Sequence, residues 1–429
     1  MSQSPLRIGL LGLGTVGTGT ARVLAENADS LTRRAGRPLA IVAAAVRDLD
    51  AERDCDTSGM RLERDAVAVA TAADVDVVVE LMGGTGAARE AVLAALEAGK
   101  PVVTANKALI AEHGPEIFEQ ARAHEQPVAF EAAVAGGIPI IKAVREGLAG
   151  NQITEINGLI NGTSNFILSK MASEGLDFAP VLAEAQQLGY AEADPTYDVE
   201  GIDAAHKLAI LAMLAFELPL ALDRIRTRGV GQVEAEDLEA AAELGYRIKH
   251  LAVARRSERG VELCVEPTLL PEQSYLAKID GVMNGVIVAG SAVGSAGFYG
   301  PGAGALATAS AVVADLIDVA RGRVLPEPGP GKTLPFVDPH TVVSGHYLRV
   351  QVLDEPGVLQ TLTGLLADAQ VSIESLVQKE LGTPAGWAQI VMLTHEVSLG
   401  TIDQVLVRLR DLPCVQGEPV HFRVSARED

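Results

Sequence analysis

The sequence predicts an α/β chain of three parts: a parallel-sheet nucleotide domain, an α+β middle domain and a small terminal module. Three observations predict it. A strand pattern at Leu6–Leu11 runs into the turn Gly12-Leu13-Gly14-Thr15-Val16-Gly17 and then a helix pattern. A carboxylate-rich loop precedes an apolar helix in the middle of the chain. A proline- and glycine-rich stretch at 326–335 is followed by strand and helix patterns in β-α-β-β-α-β order. With 429 residues, 48% of them hydrophobic, the chain can bury the cores of two or three domains.

Acidic residues number 56 against 35 basic ones, a net charge of -21, which disfavours partnership with nucleic acid or an anionic membrane surface. Cys55, Cys264 and Cys414 are far apart and lack ligand spacing, which argues against a disulfide framework and a thiolate metal site. The opening residues are too quickly structured for a signal peptide, and no apolar run reaches the ~18 residues of a membrane span. A cytoplasmic enzyme is the expectation.

In the first domain the helix is expected over about Val16–Asn27. Gly12 permits the tight turn, Gly14 lets backbone approach a pyrophosphate, and Gly17 lets helix and strand pack closely. The first N–H groups of the helix, around Thr15 and Val16, face the phosphates. The next strand, Ala40–Val46, ends at Arg47, where an NAD site usually places an acid. A guanidinium there pairs with a 2′-phosphate, so the reading leans to NADP, with NAD open. An arginine-rich insertion separates Gly17 from Arg47. A strand at Val75–Glu80 opens into a loop in which Gly83 brings backbone near the cofactor. A helix follows at Ala88–Ala98, and a short strand at Pro101–Thr104 delivers Asn106 and Lys107 to the ligand-bearing edge of a parallel sheet.

A strand at Pro127–Phe130 leads to Glu131 and a loop of small residues with paired glycines, either a tight crossing or a carbonyl cage for a monovalent cation. A strand at Ile153–Ile160 runs into Asn161-Gly162-Thr163-Ser164-Asn165, of which Thr163, Ser164 and Asn165 are short polar groups that either cap a helix at Phe166–Ser173 or suit an amino-acid-like ligand. Leu188–Asp203 packs five carboxylates, interrupted by Gly189, Tyr190, Pro195 and Gly201 as in an ordered loop. In the helix expected over Gly201–Phe216, Asp203 and Lys207 are four residues apart and share a face, while His206 borders the apolar stripe. The glycines of 294–304 exclude a helix and suit a close approach to cofactor at the start of the helix that follows.

The ordered motifs Gly12–Gly17, Thr104–Lys107, Asn161–Thr163, Gly189–Pro195, Gly201–Lys207 and Gly300–Gly304 together resemble the homoserine dehydrogenases of monofunctional long form, over essentially the whole chain. The resemblance implies interconversion of L-homoserine and L-aspartate 4-semialdehyde with NAD or NADP, on the route to threonine, isoleucine and methionine. It implies that Lys207 and Lys107 flank the substrate, Lys207 being the stronger candidate for proton transfer. The same resemblance implies that Asp203 and Asp198 bind the substrate amino group or its water network, and that Glu192, Thr163, Gly162 and Tyr190 line the pocket. It further implies that Leu13, Thr15, Val16, Thr104, Asn106, Lys107 and Gly302 join the glycines at the cofactor. Glu131 with the carbonyls of Val134, Gly136 and Ile138 matches the family's site for a monovalent cation, Na+ or K+.

The terminal module, with Asp354-Glu355-Pro356-Gly357-Val358-Leu359 after its first strand, resembles an ACT regulatory domain. Threonine is the implied effector, and a homodimer or homotetramer the implied assembly. The expected divisions are 1–135 for the Rossmann-type dinucleotide domain, completed by a helix at about 305–322, and 136–325 for substrate binding and dimerisation. Residues 326–345 are the expected linker and 346–429 the ACT module. Two other readings stay open. One is a dehydrogenase for another small amino-acid-like alcohol; the absence of a cysteine in an active-site setting weighs against a thioester-forming semialdehyde dehydrogenase. The other is a non-catalytic sensor of nucleotide and amino acid.

Overall fold

The computed structural model describes residues 4–325, 334–380 and 386–425. It begins with β1 (Leu6–Leu11), α1 (Thr15–Glu26), α2 (Ala28–Ala35), β2 (Leu39–Ala45), β3 (Arg61–Glu63), α3 (Ala66–Thr71) and β4 (Val77–Glu80). Next come α4 (Gly86–Glu97), β5 (Val102–Thr104), α5 (Lys107–Ala123), β6 (Val128–Ala129), α6 (Ile140–Lys142) and β7 (Ile153–Leu159). The middle of the chain holds α7 (Gly162–Glu174), α8 (Phe178–Gln187), α9 (Thr196–Val199), α10 (Ile202–Phe216), β8 (Arg226–Thr227) and α11 (Ala235–Glu243). Then follow β9 (Tyr246–Ser257), β10 (Gly260–Pro271), β11 (Met283–Gly290), β12 (Gly294–Pro301) and α12 (Ala305–Arg321). The chain closes with β13 (Val343–Leu353), α13 (Val358–Asp368), β14 (Ile373–Glu380), β15 (Trp387–Ser398), α14 (Leu399–Arg410) and β16 (Val415–Val424). Two compact units result. The first combines Met1–Glu155, Ala205–Asp223 and Asn284–Leu334; the second combines Ile156–Ala204, Arg224–Met283 and Pro335–Asp429, each within its described residues.

In the first unit β3-β2-β1-β4-β5-β6 form a parallel sheet in that order. Sheets of this kind are covered on both faces, so their strands read as continuous apolar runs. Ile8, Leu10 and Leu11 of β1, Val77, Val78 and Val79 of β4, and Val102 and Val103 of β5 are accordingly inaccessible to solvent. The strand order reverses between β1 and β4, and in open parallel sheets such a reversal opens a crevice at the carboxyl ends of the strands. The arginine-rich insertion folds as α2, ended by Gly36 in the left-handed region. Helix α12 packs against α1.

In the second unit β9 and β10 make a long antiparallel hairpin, from Gly260↔Ser257 to Pro271↔Tyr246. Its outer strand pairs in parallel with β16 at Thr268↔Arg423 and Leu269↔Val424, and the sheet continues β16-β13-β15-β14. The terminal module therefore has the expected β-α-β-β-α-β order and shares a sheet with β9 and β10. Both faces of β13 are covered. Leu348 and Val350 pack with Leu362 and Leu366 of α13 and Ile402 and Val405 of α14. Tyr347 packs on the other side with Ile167 and Leu168 of α7 and Leu238 of α11.

The expected linker falls mostly at 326–333, outside the described residues. Just after it, the Val261 N–H donates to the Pro335 carbonyl at 2.9 Å and the Val337 N–H to the Val261 carbonyl at 3.0 Å. No helix among the described residues is long and apolar enough to cross a membrane.

Asp237 of α11 anchors the first strand of the module. It is fully buried and accepts from the Tyr347 hydroxyl at 2.9 Å, from Arg349 Nε at 2.6 Å and from Arg349 Nη2 at 3.1 Å. Breaking a buried ion pair costs about 3–5 kcal/mol; Arg349 keeps its half-exposed partner Glu234 at 2.6 Å, which places the loss at the lower end. Asp237→Ala is expected to lower the midpoint of urea unfolding by a corresponding amount, whereas a surface change such as Glu239→Ala leaves it within about 0.5 kcal/mol.

Candidate active site

In the nucleotide turn, Gly12 has φ +100° and the first turn of α1 lies hard against it. A Cβ on Gly17 would stand 2.1 Å from the Gly12 carbonyl oxygen, so only glycine fits there. Gly14 differs: no atom lies within 4 Å of the position its Cβ would take, and it precedes α1 with no side-chain cap. Open space next to the uncapped N–H groups of Thr15, Val16 and Gly17 is what a pyrophosphate requires. Leu13 is buried beneath the turn. Gly83 and Gly84 both have φ +72° with nothing within 4 Å of a Cβ, a second stretch of bare backbone at the same sheet edge. The residues present fit a dinucleotide. Arg47 lies exposed just beyond β2.

Strand β4 ends at Glu80, which sequence reasoning read as a strand end and nothing more. It is buried and accepts the Thr104 hydroxyl at 2.6 Å, the Met82 N–H at 2.8 Å and the Gly83 N–H at 3.3 Å. Burial pushes its carboxyl group above the usual range, against those hydrogen bonds. Asn106 donates from Nδ2 to the Gly84 carbonyl at 2.7 Å and accepts the Leu109 N–H at 3.0 Å as the cap of α5. Thr104 and Asn106 thus shape the Gly83–Gly84 loop, and Lys107 is placed, half-buried, as the first residue of α5.

Glu131 is 2% exposed and accepts the N–H groups of Ile141 at 2.9 Å and Lys142 at 2.8 Å. Burial raises its pKa to about 7. The loop after it turns through Ala135 at φ +52° and Gly136 at φ +27°, with Val134 and Ile138 buried. A Cβ on Gly136 would come within 2.7 Å of the Gly302 carbonyl oxygen, and one on Gly302 within 2.1 Å of the Asn284 amide. Asn284 is 1% exposed, and neither its Nδ2 nor its Oδ1 has a hydrogen-bond partner among the described residues. A buried orphan amide of this kind marks a place for a water, an ion or a ligand group.

In the second unit the substrate candidates gather at the start of α10. Asn161 donates from the one Nδ2 to Asp198 Oδ1 at 2.7 Å and to Asp203 Oδ2 at 2.9 Å. Its Oδ1 accepts the Ser164 N–H at 2.8 Å. The cap of α7 is therefore Asn161, and the expected cap residues Thr163, Ser164 and Asn165 lie inside the first turn. Thr163 donates to the Tyr190 carbonyl at 2.6 Å and Ser164 to the Asp198 carbonyl at 3.0 Å, which ties the acidic loop to α7. Gly162 lies so close to the Val282 carbonyl that a Cβ would approach it within 2.7 Å. Tyr190 packs edge-on against Phe166 at 5.1 Å between ring centroids, and its side chain stays exposed, as does Glu192. Asn161 is the residue that gathers this cluster, although the sequence presents it only as one amide at a helix start.

Helix α10 carries Asp203, 5% exposed, and one turn later Lys207, half-buried. Leu208, Ile210 and Leu211 on the same helix are inaccessible to solvent, each contributing about 1.5–3 kcal/mol of burial that fixes its rotation. His206 lies 3.7 Å from Glu112 Oε1 within the first unit.

The chain is similar to known proteins along its whole length. A homoserine dehydrogenase family model matches residues 139–317, a homoserine dehydrogenase NAD-binding-domain model residues 12–131 and an ACT-domain model residues 346–414. The homoserine dehydrogenase of Pseudomonas aeruginosa is 50% identical over 433 residues, spanning 99% of each protein. The crystal structure of a homoserine dehydrogenase from Thiobacillus denitrificans superposes with a TM-score of 0.92 at 47% identity, covering 99% of both chains. A hyperthermophilic archaeal homoserine dehydrogenase in complex with NADPH matches 76% of this chain and 99% of its own, with a TM-score of 0.62 at 26% identity. Full-length likeness at this level, joined to a glycine turn at the sheet's switch point, leads to one conclusion: the chain belongs to the homoserine dehydrogenase family, as an NAD(P)-dependent oxidoreductase with an ACT module.

Proposed function

We propose that in the interconversion of L-homoserine and L-aspartate 4-semialdehyde Lys207 moves the proton, Lys107 assists it, and Asp203 with Asp198 holds the substrate. The observation that carries this reading is the single Asn161 amide bonded to two carboxylates at the start of the helix that bears Lys207. Two carboxylates gathered by one amide are the acceptor groups that the α-ammonium of an amino acid calls for. The nicotinamide supplies hydride acceptor or donor chemistry when bound. In reduction the Lys207 ammonium stabilises the developing alkoxide and donates its proton; in oxidation its neutral form accepts the hydroxyl proton. Thr163, Gly162, Tyr190 and Glu192 complete the substrate side by order of chain and by the hydrogen bonds that fix the 190–198 loop.

On the cofactor side we assign Gly12, Leu13, Gly14, Thr15, Val16, Gly17, Gly83 and Gly302 as the backbone surface, with Thr104 and Asn106 shaping it. Arg47, exposed beyond β2, supports NADP over NAD through its fit to a 2′-phosphate, and the NADPH complex of the archaeal relative supports the same choice. A monovalent cation, Na+ or K+, is assigned to Glu131 with the carbonyls of Val134, Gly136 and Ile138. The left-handed turn at 135–136 and the nearby orphan amide of Asn284 support it, with Glu131 anchoring the helix start beyond. The ACT module is assigned threonine as effector, the enzyme a homodimer or homotetramer in the cytoplasm.

The test is homoserine-dependent reduction of NAD+ and NADP+ measured in parallel at 340 nm, with and without threonine, in Na+, K+ and choline buffers. Faster NADP+ reduction that falls in choline and falls with threonine is expected. Equal rates in choline remove the cation assignment, and equal rates with threonine remove the effector. No turnover of homoserine with either nucleotide leaves the sensor reading in its place.

A further inference from the structure

Helix α10 starts where three segments of the second unit meet. A Cβ on Gly201, which has φ +82°, would lie 3.0 Å from His250 Cε1 and 3.1 Å from the Thr227 methyl group. On the other side a Cβ on Gly229 would lie 2.6 Å from the Val199 carbonyl and 2.9 Å from Glu200 Cα. The Val230 N–H donates to that same Val199 carbonyl at 2.9 Å. Residues 227–230 are therefore pressed against the residues that lead into Asp203, with no slack to absorb a shift. His250, 5% exposed on β9, bonds through Nε2 to the Arg228 carbonyl at 3.0 Å. A carbonyl only accepts, so Nε2 carries the proton, and the ring stays neutral because burial lowers its pKa to about 4 against the pull of Asp203.

The side chain of Arg228 runs the other way, into the ACT module. Its Nη1 donates to Nδ1 of His421 on β16 at 3.2 Å and to the His421 carbonyl at 3.2 Å, and its Nη2 to Gln232 at 3.2 Å. Guanidinium has no acceptor, so His421 Nδ1 is bare and its Nε2 holds the proton. That N–H donates to His346 Nδ1 at 2.8 Å, and His346 Nε2 donates in turn to the Val397 carbonyl on β15 at 3.1 Å. One set of tautomers satisfies the whole line. Both rings are buried, and burial holds both below the usual histidine range. The Arg228 N–H donates to the Val265 carbonyl on β10 at 2.8 Å, so its backbone is fixed between the two ends.

We infer that Arg228 is a positioning residue through which the ACT module sets the start of the substrate-side helix: its guanidinium holds His421, and its carbonyl holds His250 against Gly201, two residues before Asp203. The inference rests on the assignment of Asp203 to substrate given above. A movement of β16 relative to β10 shifts Arg228, and through it the ring that seats Gly201. A displacement of about 1 Å at a reacting centre lowers rate by about 10²-fold, so a small shift suffices for regulation.

The test uses the full-length enzyme. Arg228→Met is expected to raise KM for homoserine about tenfold while KM for the nucleotide changes by less than about twofold, a split that general loss of packing does not produce. Arg228→Lys, which keeps a charged N–H donor group, restores most of the affinity. His421→Gln and His250→Gln, at residues that both bond to Arg228, are expected to be non-additive, the double variant losing about threefold less in kcat/KM than the product of the single losses. A folded Arg228→Met enzyme with unchanged homoserine KM, or additive losses in the cycle, overturns the inference. If Arg228→Met fails to fold, Arg228→Lys and the histidine cycle decide. Asp203→Asn separates the two levels: normal homoserine KM in that variant overturns the substrate assignment, whereas an impaired Asp203→Asn beside a normal Arg228→Met overturns the relay alone.

Discussion

Lys207→Met is expected to lower kcat for homoserine oxidation by about 10²–10⁴-fold, the range over which a positioned acid–base group acts. Methionine keeps the length and apolar stem of lysine and is a good helix former, so α10 should keep its buried face of Leu208, Ile210 and Leu211. The loss then reports the amine and not the fold. NADPH binding, followed by fluorescence titration, should change by less than about threefold, since the cofactor surface proposed above is the Gly12–Gly17 turn with the Gly83–Gly84 loop. A lysine that only bound substrate would raise KM and spare kcat. Near-normal kcat in Lys207→Met would move the proton-transfer role to Lys107, and Lys107→Met then becomes the variant that loses turnover.

Gly17→Ala is the second large effect expected. The added methyl group would stand 2.1 Å from a backbone oxygen, and Gly12 cannot simply retreat because its own Cα is flanked by the Leu81 carbonyl, 2.8 Å from where a Cβ would be. Either the glycine turn opens or the first turn of α1 moves outward. Overpacking of this kind costs about 1–3 kcal/mol, and the displaced N–H groups are those assigned to phosphate. Affinity for NADPH should fall about tenfold or more, each tenfold corresponding to about 1.4 kcal/mol, with a lower melting temperature. Wild-type NADPH affinity in Gly17→Ala would mean that the phosphates are held elsewhere.

Much of the nucleotide unit was legible because its determinants are local. A strand, a glycine turn and a helix follow one another within a few residues, and the continuous apolar runs of β1, β4 and β5 reflect burial on both faces. The terminal module was legible for the same reason, in its alternating strands and short amphipathic helices. The β9–β10 hairpin was not. Its strands contain Lys249, His250, Glu262 and Glu266, all buried, and buried charges break the apolar pattern that marks a strand. They are tolerated because distant partners meet them: Asp280 for Lys249 at 2.8 Å, Arg423 for Glu262 and Arg226 for Glu266.

The site divides along the same line. By itself the sequence determined that Asp203 and Lys207 share a face of one helix, that Gly12, Gly14 and Gly17 form a tight turn between a strand and a helix, and that Lys107 follows a short strand at a sheet edge. Those are relations over a few residues, where helical and turn geometry act directly. Only the tertiary structure decided that Asn161 binds Asp198 and Asp203 together, 37 and 42 residues away. It also decided that Glu80 organises the Gly83–Gly84 loop with Thr104, and that β16 of the ACT module lies beside β10. The physical reason is that a buried polar group must find a partner wherever the fold offers one, and sequence distance places no limit on where that partner comes from.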